Sequence, residues 1–290
     1  MENPIKSESL AMQTAKKCSF NGLAWSLRRL YCPVKKNALV LEVGSGGNPY
    51  FRANVLCDSY ITTQERFFVP LVHDRPTIIA PAENLPFKDN AFDFVIASHV
   101  LEHSDNPAKF LEELQRVAKA GYIEVPDAVM ERLTHYTFHR LEITERNGEL
   151  IIRKKKNYIQ DKELAELFDY KAIKLFSGLV SKHPFDFHVR FYWSKIGGGL
   201  KYKIINPEYE FDWEPPSFEE KDMGNKFNFV AFVKTGILKI IRRIFSQNAR
   251  NKKIDIRNLL MCDICKGEDF DVKKGEVICK KCGKKFLFFK

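Results

Sequence analysis

The 290-residue sequence lacks any stretch of the roughly 20 uninterrupted apolar residues that a membrane-spanning helix needs. Residues 1–8 are polar and acidic, and they lack the apolar core of a secretory signal peptide. We therefore predict a cytoplasmic protein, in which the seven cysteines stay reduced unless they bind metal.

Most of the chain carries no net charge. The net charge is +10, yet residues 234–290 contain 16 Lys and Arg against 6 Asp and Glu, which accounts for all of it. Residues 1–233 are formally neutral, so only the C-terminal fifth has the charge that favours nucleic acid or an anionic membrane surface.

Short apolar runs alternate with helical patterns through the first half of the chain, and several end in glycine or an acid. This alternation predicts the α/β class, with a parallel sheet and crossover connections. The predicted strands are residues 38–43, 53–58, 77–80, 92–98 and 121–126, and residues 107–118 are predicted as a helix.

The second half is less regular. Arg146-Asn147-Gly148 is a typical β-hairpin turn, and apolar runs flank it at 141–144 and 149–153. A second hairpin around the glycines 197–199 is predicted, and it competes with a late strand to complete the sheet. The segments concerned are residues 187–193 and 200–205 for the hairpin, 170–176 for a sixth strand and 227–233 for the last strand. His135, His139, His183 and His188 lie here among many aromatic residues, which either line an acceptor pocket or are ordinary half-buried side chains.

A glycine-rich turn, Glu42-Val43-Gly44-Ser45-Gly46-Gly47, follows the first predicted strand. Glycine lets the chain turn sharply and lets a ligand approach the backbone, where a Cβ would obstruct it. Glu42 is placed to orient the turn or to meet a ligand's ammonium group. Asp58 ends the next strand, where its carboxylate can accept hydrogen bonds from ribose hydroxyls. Alone, such a turn is as often an ordinary strand-to-loop connection.

Three separated segments, the glycine turn, residues 82–87 and residues 92–103, resemble the class I S-adenosylmethionine-dependent methyltransferases of the ubiquinone/menaquinone-biosynthesis type, the type 11 methyltransferase domain. The resemblance covers residues 38–126. It implies a Rossmann-like seven-stranded methyltransferase sheet with S-adenosylmethionine at the strand ends. The residues that it implies for the cofactor are Glu42, Gly44, Ser45, Gly46 and Gly47 at the methionine part, Asp58 at the ribose, Ala82 and Glu83 at the adenine, and Ser98 and His99 beside the methyl group.

Asn48-Pro49 stands where this family has a further glycine, so the first crossover helix is predicted to be short or missing. For a hydroxyl acceptor, a general base assists methyl transfer, and His99 and His103 are the candidates by position. The alternative for His103 is a structural role at the helix that starts near Asn106.

Four cysteines near the C-terminus, Cys262, Cys265, Cys279 and Cys282, form two C-x2-C pairs separated by thirteen residues. This spacing predicts a tetrahedral zinc site, which is structural because four protein ligands leave no open position. Residues 259–286 resemble the small zinc-binding activator subunit of RNA and release-factor methyltransferases, here fused to its enzyme. The resemblance suggests a zinc ribbon with a stabilising or substrate-presenting role.

The predicted organisation is a methyltransferase domain over residues 1–234, a basic amphipathic linker helix over 235–257 and a zinc ribbon over 258–290. The first domain divides into a cofactor half, 38–126, and acceptor-side insertions, 127–226. The apolar stripe of the linker either packs on the domain or lies on the inner face of a membrane as a peripheral contact. The basic tail could also bind nucleic acid.

Three functions remain open at this point. The first is a methyltransferase that acts on a small molecule or on a glycan or lipid-linked saccharide. The second is a methyltransferase of RNA or a translation factor, which would use the ribbon and the basic tail to bind its substrate. The third is a non-catalytic binding protein that keeps the cofactor fold, against which the intact Glu42, Gly44, Gly46 and Asp58 count.

Overall fold

A computed structural model describes residues 5–218, 236, 238 and 240–290. Its strands form two sheets, one with nine strands and one with three. The strands are β1 Val40–Val43, β2 Val55–Asp58, β3 Thr77–Ile79, β4 Phe94–Ser98, β5 Ala120–Pro126, β6 Leu141–Arg146, β7 Glu149–Lys154, β8 His188–Ser194, β9 Tyr202–Ile204, β10 Phe270–Lys273, β11 Glu276–Cys279 and β12 Lys285–Phe289. The helices of residues 5–218 are α1 Leu10–Lys17, α2 Asn21–Leu27, α3 Pro107–Val117, α4 Ala128–Thr134, α5 Lys162–Lys171 and α6 Ile173–Lys182.

The centre of the large sheet is parallel, in the order β3-β2-β1-β4-β5, and β8 adds an antiparallel edge strand. Every residue of β1, β2 and β4 is buried, as expected where layers cover both faces of a parallel sheet. The predicted α/β fold class is confirmed. The sheet has nine strands in the described part of the chain, against the seven expected: the five parallel strands, β8 and three C-terminal strands.

The connection from β1 to β2 contains no helix in residues 44–54, all of which the structure describes, so the prediction of a missing crossover helix is confirmed. Proline fixes its own backbone and restricts the residue before it, which disfavours a helix through Asn48-Pro49. The chain instead buries Tyr50 and Phe51. The backbone N–H of Tyr50 donates to Glu42 Oε2 over 2.7 Å, which ties this connection to the end of β1.

Two predictions for the second half are wrong. Residues 170–176 are not a strand, because α5 and α6 continue through them with Phe168 and Phe176 packed on Met130. The second predicted hairpin does not form either: β8 pairs with β5, whereas β9 pairs in parallel with β7 in the small sheet. The hairpin of β6 and β7 is confirmed, and the strand predicted at 227–233 lies outside the described residues.

Burial explains why β8 joins the large sheet. The ring of Trp193 covers Gly121 of β5 so closely that a Cβ there would lie 2.6 Å from the indole Nε1. Phe191 and Trp193 are buried in the same hydrophobic cluster as β1 and β4. Removing these two aromatic side chains from water stabilises the β5–β8 pairing more than a local hairpin would.

The C-terminal strands are part of the large sheet. β12 pairs antiparallel with β3, with Phe288 opposite Ile78, and β11 and β10 follow outward. Phe270, Val277 and Phe286 belong to the same buried cluster as the central strands. The predicted division at residues 235 and 258 stays a prediction, but the ribbon shares a core with the sheet.

The segment before the ribbon is helical over residues 240–245, followed by the short helix Asn248–Asn251. Ile240 and Ile244 are 62% and 69% exposed, so this part of the predicted apolar stripe faces away from the domain. The opposite side is held by Arg242, whose Nε lies 3.7 Å from Asp74 Oδ2. Within the residues that the structure describes, no helix is long and apolar enough to cross a bilayer.

A buried ion pair fixes the N-terminal segment to the sheet. Arg28, in the short 3-10 helix Arg28–Leu30, donates from Nε and Nη2 to the two carboxylate oxygens of Glu124 on β5, over 2.7 and 2.9 Å. Tyr122 and Ser98 donate hydroxyl hydrogen bonds to the same carboxylate. Burial raises the pKa of Glu124, but the nearby His99 and Arg28 hold it well below its usual range.

We expect Glu124→Ala to lower the free energy of unfolding by about 3–5 kcal/mol, because it leaves the Arg28 guanidinium buried without its partner. Urea unfolding would measure the change. The matched control is Glu268→Ala, which breaks an exposed ion pair with Lys88 and should cost about 0–1 kcal/mol. Equal effects of the two substitutions would contradict this account.

Candidate functional site

A cavity of about 780 Å³ opens at the carboxyl ends of the parallel strands β1, β2 and β4. This is the edge where open α/β sheets bind their ligands. All the residues predicted for the cofactor line this cavity, together with His103. The structure therefore brings the separated sequence segments together, while their roles in binding stay predictions.

The glycine turn has the backbone that glycine permits. Gly44 and Gly46 adopt φ of +67° and +56°, in the left-handed region. A Cβ on Gly44 would lie only 2.5 Å from Cγ2 of Val100, so this position has no room for a side chain. The Gly46 N–H donates to Asp58 Oδ2 over 2.8 Å, which couples the turn to the end of β2.

The carboxylate of Asp58 is held in a defined orientation. Besides Gly46, the backbone N–H of Tyr60 donates to Oδ1 over 3.0 Å. Arg66 Nη1 lies 3.2 Å from the same oxygen, and Arg66 also donates to backbone carbonyls of its own loop. Arg66 was not predicted as a site residue, because the loop that supplies it has no recognisable motif.

Glu42 and Arg29 both line the cavity. Burial raises the pKa of Glu42 to about 7, although Arg29, the Tyr50 N–H and Arg75 act to lower it. The guanidinium of Arg29 lies over the Tyr50 ring, 4.5 Å from its centroid, and its Nε has no hydrogen-bond partner among the described residues. The sequence gives no signal for Arg29, since it precedes β1 in a segment without a motif.

The segment predicted at the adenine forms the short 3-10 helix Ala82–Asn84, where Glu83 accepts a hydrogen bond from Ser104 Oγ. The ribbon contacts this segment through two hydrogen bonds. Asn84 Nδ2 donates to Asp263 Oδ2 over 3.0 Å, and the Met261 N–H donates to the Pro86 carbonyl over 3.1 Å. Asp263, which lies between Cys262 and Cys265, thus contacts Asn84, the residue that follows Glu83.

His99 follows β4 with φ of +56°, and its two ring nitrogens face two carboxylates. Nδ1 lies 3.4 Å from Glu102 Oε1, and Nε2 lies 3.4 Å from Glu124 Oε1. Burial lowers the pKa of His99, but the two carboxylates raise it more, to about 9. The ring therefore carries a positive charge near neutral pH.

His103 has the opposite electrostatic environment. Burial is the main cause that lowers its pKa to about 4, and the neighbouring His139 adds to the effect. The ring does not cap α3, because the Asn106 side chain accepts from the Lys109 N–H there. Instead, the ring packs edge-on against His139, with 4.7 Å between ring centroids.

The predicted aromatic acceptor pocket is only partly assembled. Phe191 and Trp193 lie in the sheet core and do not line the cavity. His183 is exposed, whereas His188 packs on Trp25 and lies 5.4 Å from the His99 ring. His139 is therefore the residue of this group that meets His103 at the cavity wall.

The four cysteines predicted to bind metal converge. The sulfurs of Cys262, Cys265, Cys279 and Cys282 all lie within 4.8 Å of one another. Sγ–Sγ distances of 3.5 Å join Cys262 to Cys282 and Cys265 to Cys279. A Cβ on Gly267 would lie 3.3 Å from two of these sulfurs, so the turn around the cluster requires a small residue. A cluster of four thiols with this geometry is compatible with zinc.

Two uncharacterized proteins of Methanocaldococcus jannaschii match parts of the chain. MJ1123 is 54% identical over 44 residues, which is 15% of this chain and 22% of that protein. MJ0638 is 34% identical over 90 residues, 29% of this chain and 38% of that protein. The chain thus spans well under half the length of these relatives.

Solved structures resemble the chain weakly. A SAM-dependent methyltransferase from Aquifex aeolicus has 18% identity and a TM-score of 0.27, covering 57% of this chain and 89% of that one. A chain from a Haloferax volcanii complex that contains the Trm112 methyltransferase activator has 17% identity and a TM-score of 0.31, covering 47% of this chain and 74% of that one.

Residues 41–123 match the family model described as a methyltransferase domain. The match runs from β1 into β5 and includes the glycine turn, the end of β2 and the segment after β4. Residues 41–123 are therefore similar to a methyltransferase domain, and they lie in the parallel part of the sheet.

Proposed function

We propose that the chain is an S-adenosylmethionine-dependent methyltransferase that acts on a small molecule or on a glycan, including a lipid-linked saccharide. One observation carries the proposal: the cavity collects Glu42, Asp58 and Glu83 from three neighbouring strand ends around a glycine turn. Its volume of about 780 Å³ lies in the usual range of small-molecule sites.

The side chains of the cavity fit the groups of S-adenosylmethionine. The methionine part carries an ammonium and a carboxylate, which Glu42 and Arg29 would bind as opposite charges. Asp58 would accept from the ribose hydroxyls, and Ala82 with Glu83 would border the adenine. The absence of a Cβ at Gly44 lets the cofactor approach the turn.

The cofactor supplies an activated methyl group when bound, so the main task of the chain is to align the acceptor. Ser98 and His99 end β4 at the cavity wall, and His103 follows on the same wall. We keep His99 and His103 as the candidates that contact the acceptor or its proton.

The charges around the cavity favour a small or uncharged acceptor over RNA. Five carboxylates line it, those of Glu42, Asp58, Glu65, Glu83 and Asp105, against four cationic groups, those of Arg29, Arg66, Arg140 and the protonated His99. In the C-terminal region, three basic residues are paired with carboxylates: Lys280 with Asp269, Lys285 with Glu276, and Arg257 with Asp255. Both features weaken the electrostatic attraction on which RNA binding depends.

The lipid-linked version of the acceptor has one supporting observation. Ile240, Ile244 and Phe245 are exposed on the helical segment before the ribbon, beside the basic Arg243. An apolar face flanked by basic residues is typical of a helix that lies on an anionic membrane surface. We include peripheral contact with a membrane in the proposal for this reason.

The four cysteines are proposed to hold one structural zinc ion as thiolates. The contacts of Asp263 with Asn84 and of β12 with β3 support a stabilising role at the adenine side of the cavity. A substrate-presenting role, the alternative, would use exposed basic side chains of the ribbon such as those of Lys273, Lys274 and Lys281.

Transfer of labelled methyl groups from S-adenosylmethionine into fractions of a cell extract tests the function. We expect label in the small-molecule or glycolipid fraction, and none with Asp58→Ala, which removes the proposed ribose acceptor. Asp186→Ala, a change at an exposed carboxylate, is the matched control. Label in RNA or protein would support the second function instead. If the chain binds S-adenosylmethionine in calorimetry but transfers no methyl group, the third function, a non-catalytic binding protein, would be supported.

A further inference from the structure

A cluster of three potential ligands lies beside the cofactor cavity. Glu102 and His103 belong to the short 3-10 helix Leu101–His103 after β4, and His139 precedes β6 in the insertion. One potential ligand atom from each of the three lies within 4.8 Å of the others. The cluster therefore forms where the cofactor half meets the insertion.

Two of these side chains are buried without the partners that they need. Glu102 is 1% exposed, yet neither carboxylate oxygen has a hydrogen-bond partner among the described residues. The nearest cationic contact is His99 Nδ1 at 3.4 Å, outside hydrogen-bond geometry. His103 Nδ1 is also buried and unpartnered there. The positive charge of His99 offsets part of the cost of burying the Glu102 carboxylate, but both Glu102 oxygens and His103 Nδ1 keep free lone pairs that a bound cation can use.

His139 is oriented as metal-binding histidines are. Its Nδ1 lies 2.6 Å from Glu131 Oε2, which leaves Nε2 as the free ligand atom. Glu131 in turn accepts from the buried Lys155 Nζ over 2.6 Å, and Lys155 also donates to the His139 carbonyl over 3.0 Å. A carboxylate behind a histidine fixes its tautomer and raises its basicity as a ligand.

We propose that Glu102, His103 and His139 bind one divalent first-row transition metal ion at the wall of the cofactor cavity. Two imidazoles and one carboxylate suit manganese, iron, cobalt or zinc, whereas magnesium and calcium prefer oxygen ligands alone. Three protein ligands leave positions open. Glu65 Oε2, 3.5 Å from His103 Nδ1, can fill one of them from the cavity side.

The role of this metal rests on the proposed methyl transfer. An acceptor hydroxyl bound at an open position loses its proton to solvent more easily. The oxygen lone pair then forms the O–CH₃ bond, while the S–CH₃ bond of the cofactor breaks and its electron pair stays on sulfur. The proposed acceptor is thus a hydroxyl compound that reaches the cavity beside His103.

Binding of Mn²⁺ alone tests the site, measured by the loss of the free Mn²⁺ signal in electron paramagnetic resonance, on full-length chain already loaded with one zinc. Thiolate sites bind Mn²⁺ poorly, so the four cysteines do not interfere. We expect one Mn²⁺ per chain. His139→Ala and Glu102→Gln should weaken binding at least tenfold, and Glu131→Gln about 10–100-fold.

His183→Ala is the matched control, because this exposed histidine pairs with Asp186 outside the cluster and should leave Mn²⁺ affinity unchanged. Unfolding midpoints show whether each variant folds. If His139→Ala or Glu102→Gln does not fold, the conservative Glu131→Gln still tests the site. No Mn²⁺ binding, or equal binding by His139→Ala, would overturn the metal site. Mn²⁺ binding without methyl transfer would overturn only the proposed function.

Discussion

Gly44→Arg is expected to abolish calorimetric binding of S-adenosylmethionine. The residue has φ of +67°, which costs a non-glycine residue about 1–2 kcal/mol. Its Cβ would also lie 2.5 Å from Val100, so the turn must move before any side chain fits. The arginine would then occupy the space proposed for the methionine part of the cofactor. Both effects act on the turn after β1, at the carboxyl edge of the parallel strands.

Gly148→Arg separates the loss of the site from the strain of the backbone. Gly148 has φ of +77° in the turn between β6 and β7, and a Cβ there meets nothing within 4 Å. This variant should share the cost of the positive φ but not the clash, and it should keep cofactor affinity. If Gly44→Arg bound the cofactor as well as Gly148→Arg did, the glycine turn could not be the cofactor loop.

Loss of the proposed zinc is expected to unfold the ribbon and to weaken cofactor binding together. Zinc contributes about 10–16 kcal/mol to the folding of small zinc modules at neutral pH. The strand β12 pairs with β3, and Asp263 holds Asn84 beside Glu83. Without the ribbon, the adenine side of the cavity loses these contacts. Cys282→Ser should therefore lower both zinc content and cofactor affinity, the first by metal analysis and the second by calorimetry.

Cys18→Ser is the matched control for this substitution, because Cys18 is likewise an exposed cysteine but lies outside the four-cysteine cluster. It should change neither zinc content nor affinity. Cofactor affinity that survives complete removal of zinc would show that the ribbon does not support the cavity. The substrate-presenting role would then be the better explanation of the module.

Much of the cofactor half could be predicted because its signals are local. Apolar runs mark buried parallel strands, glycine marks a turn that needs positive φ, and Asn48-Pro49 removes a helix. Gly44 and Asp58 lie at the strand ends where the pattern put them. The four cysteines converge because two close pairs need only a short turn each to face one point.

Pairing in the second half was predicted less well, since a strand pattern specifies burial but not the partner strand. Residues 187–193 and 200–205 carry hairpin signals, yet Trp193 over Gly121 directs β8 to the large sheet. Residues 170–176 are apolar enough for a strand, but packing of Phe168 and Phe176 on Met130 keeps them helical. Tertiary burial outweighed local pattern in both cases.

The α/β class, the glycine turn after β1 and the four-cysteine cluster follow from the sequence alone, because each depends on the spacing of nearby residues. Packing of distant segments is what makes β12 extend the sheet at β3, brings Arg29 and Glu42 to one cavity, and brings His139 to Glu102 and His103. These contacts join residues far apart in the chain. Their geometry depends on how whole elements pack, which no local spacing encodes.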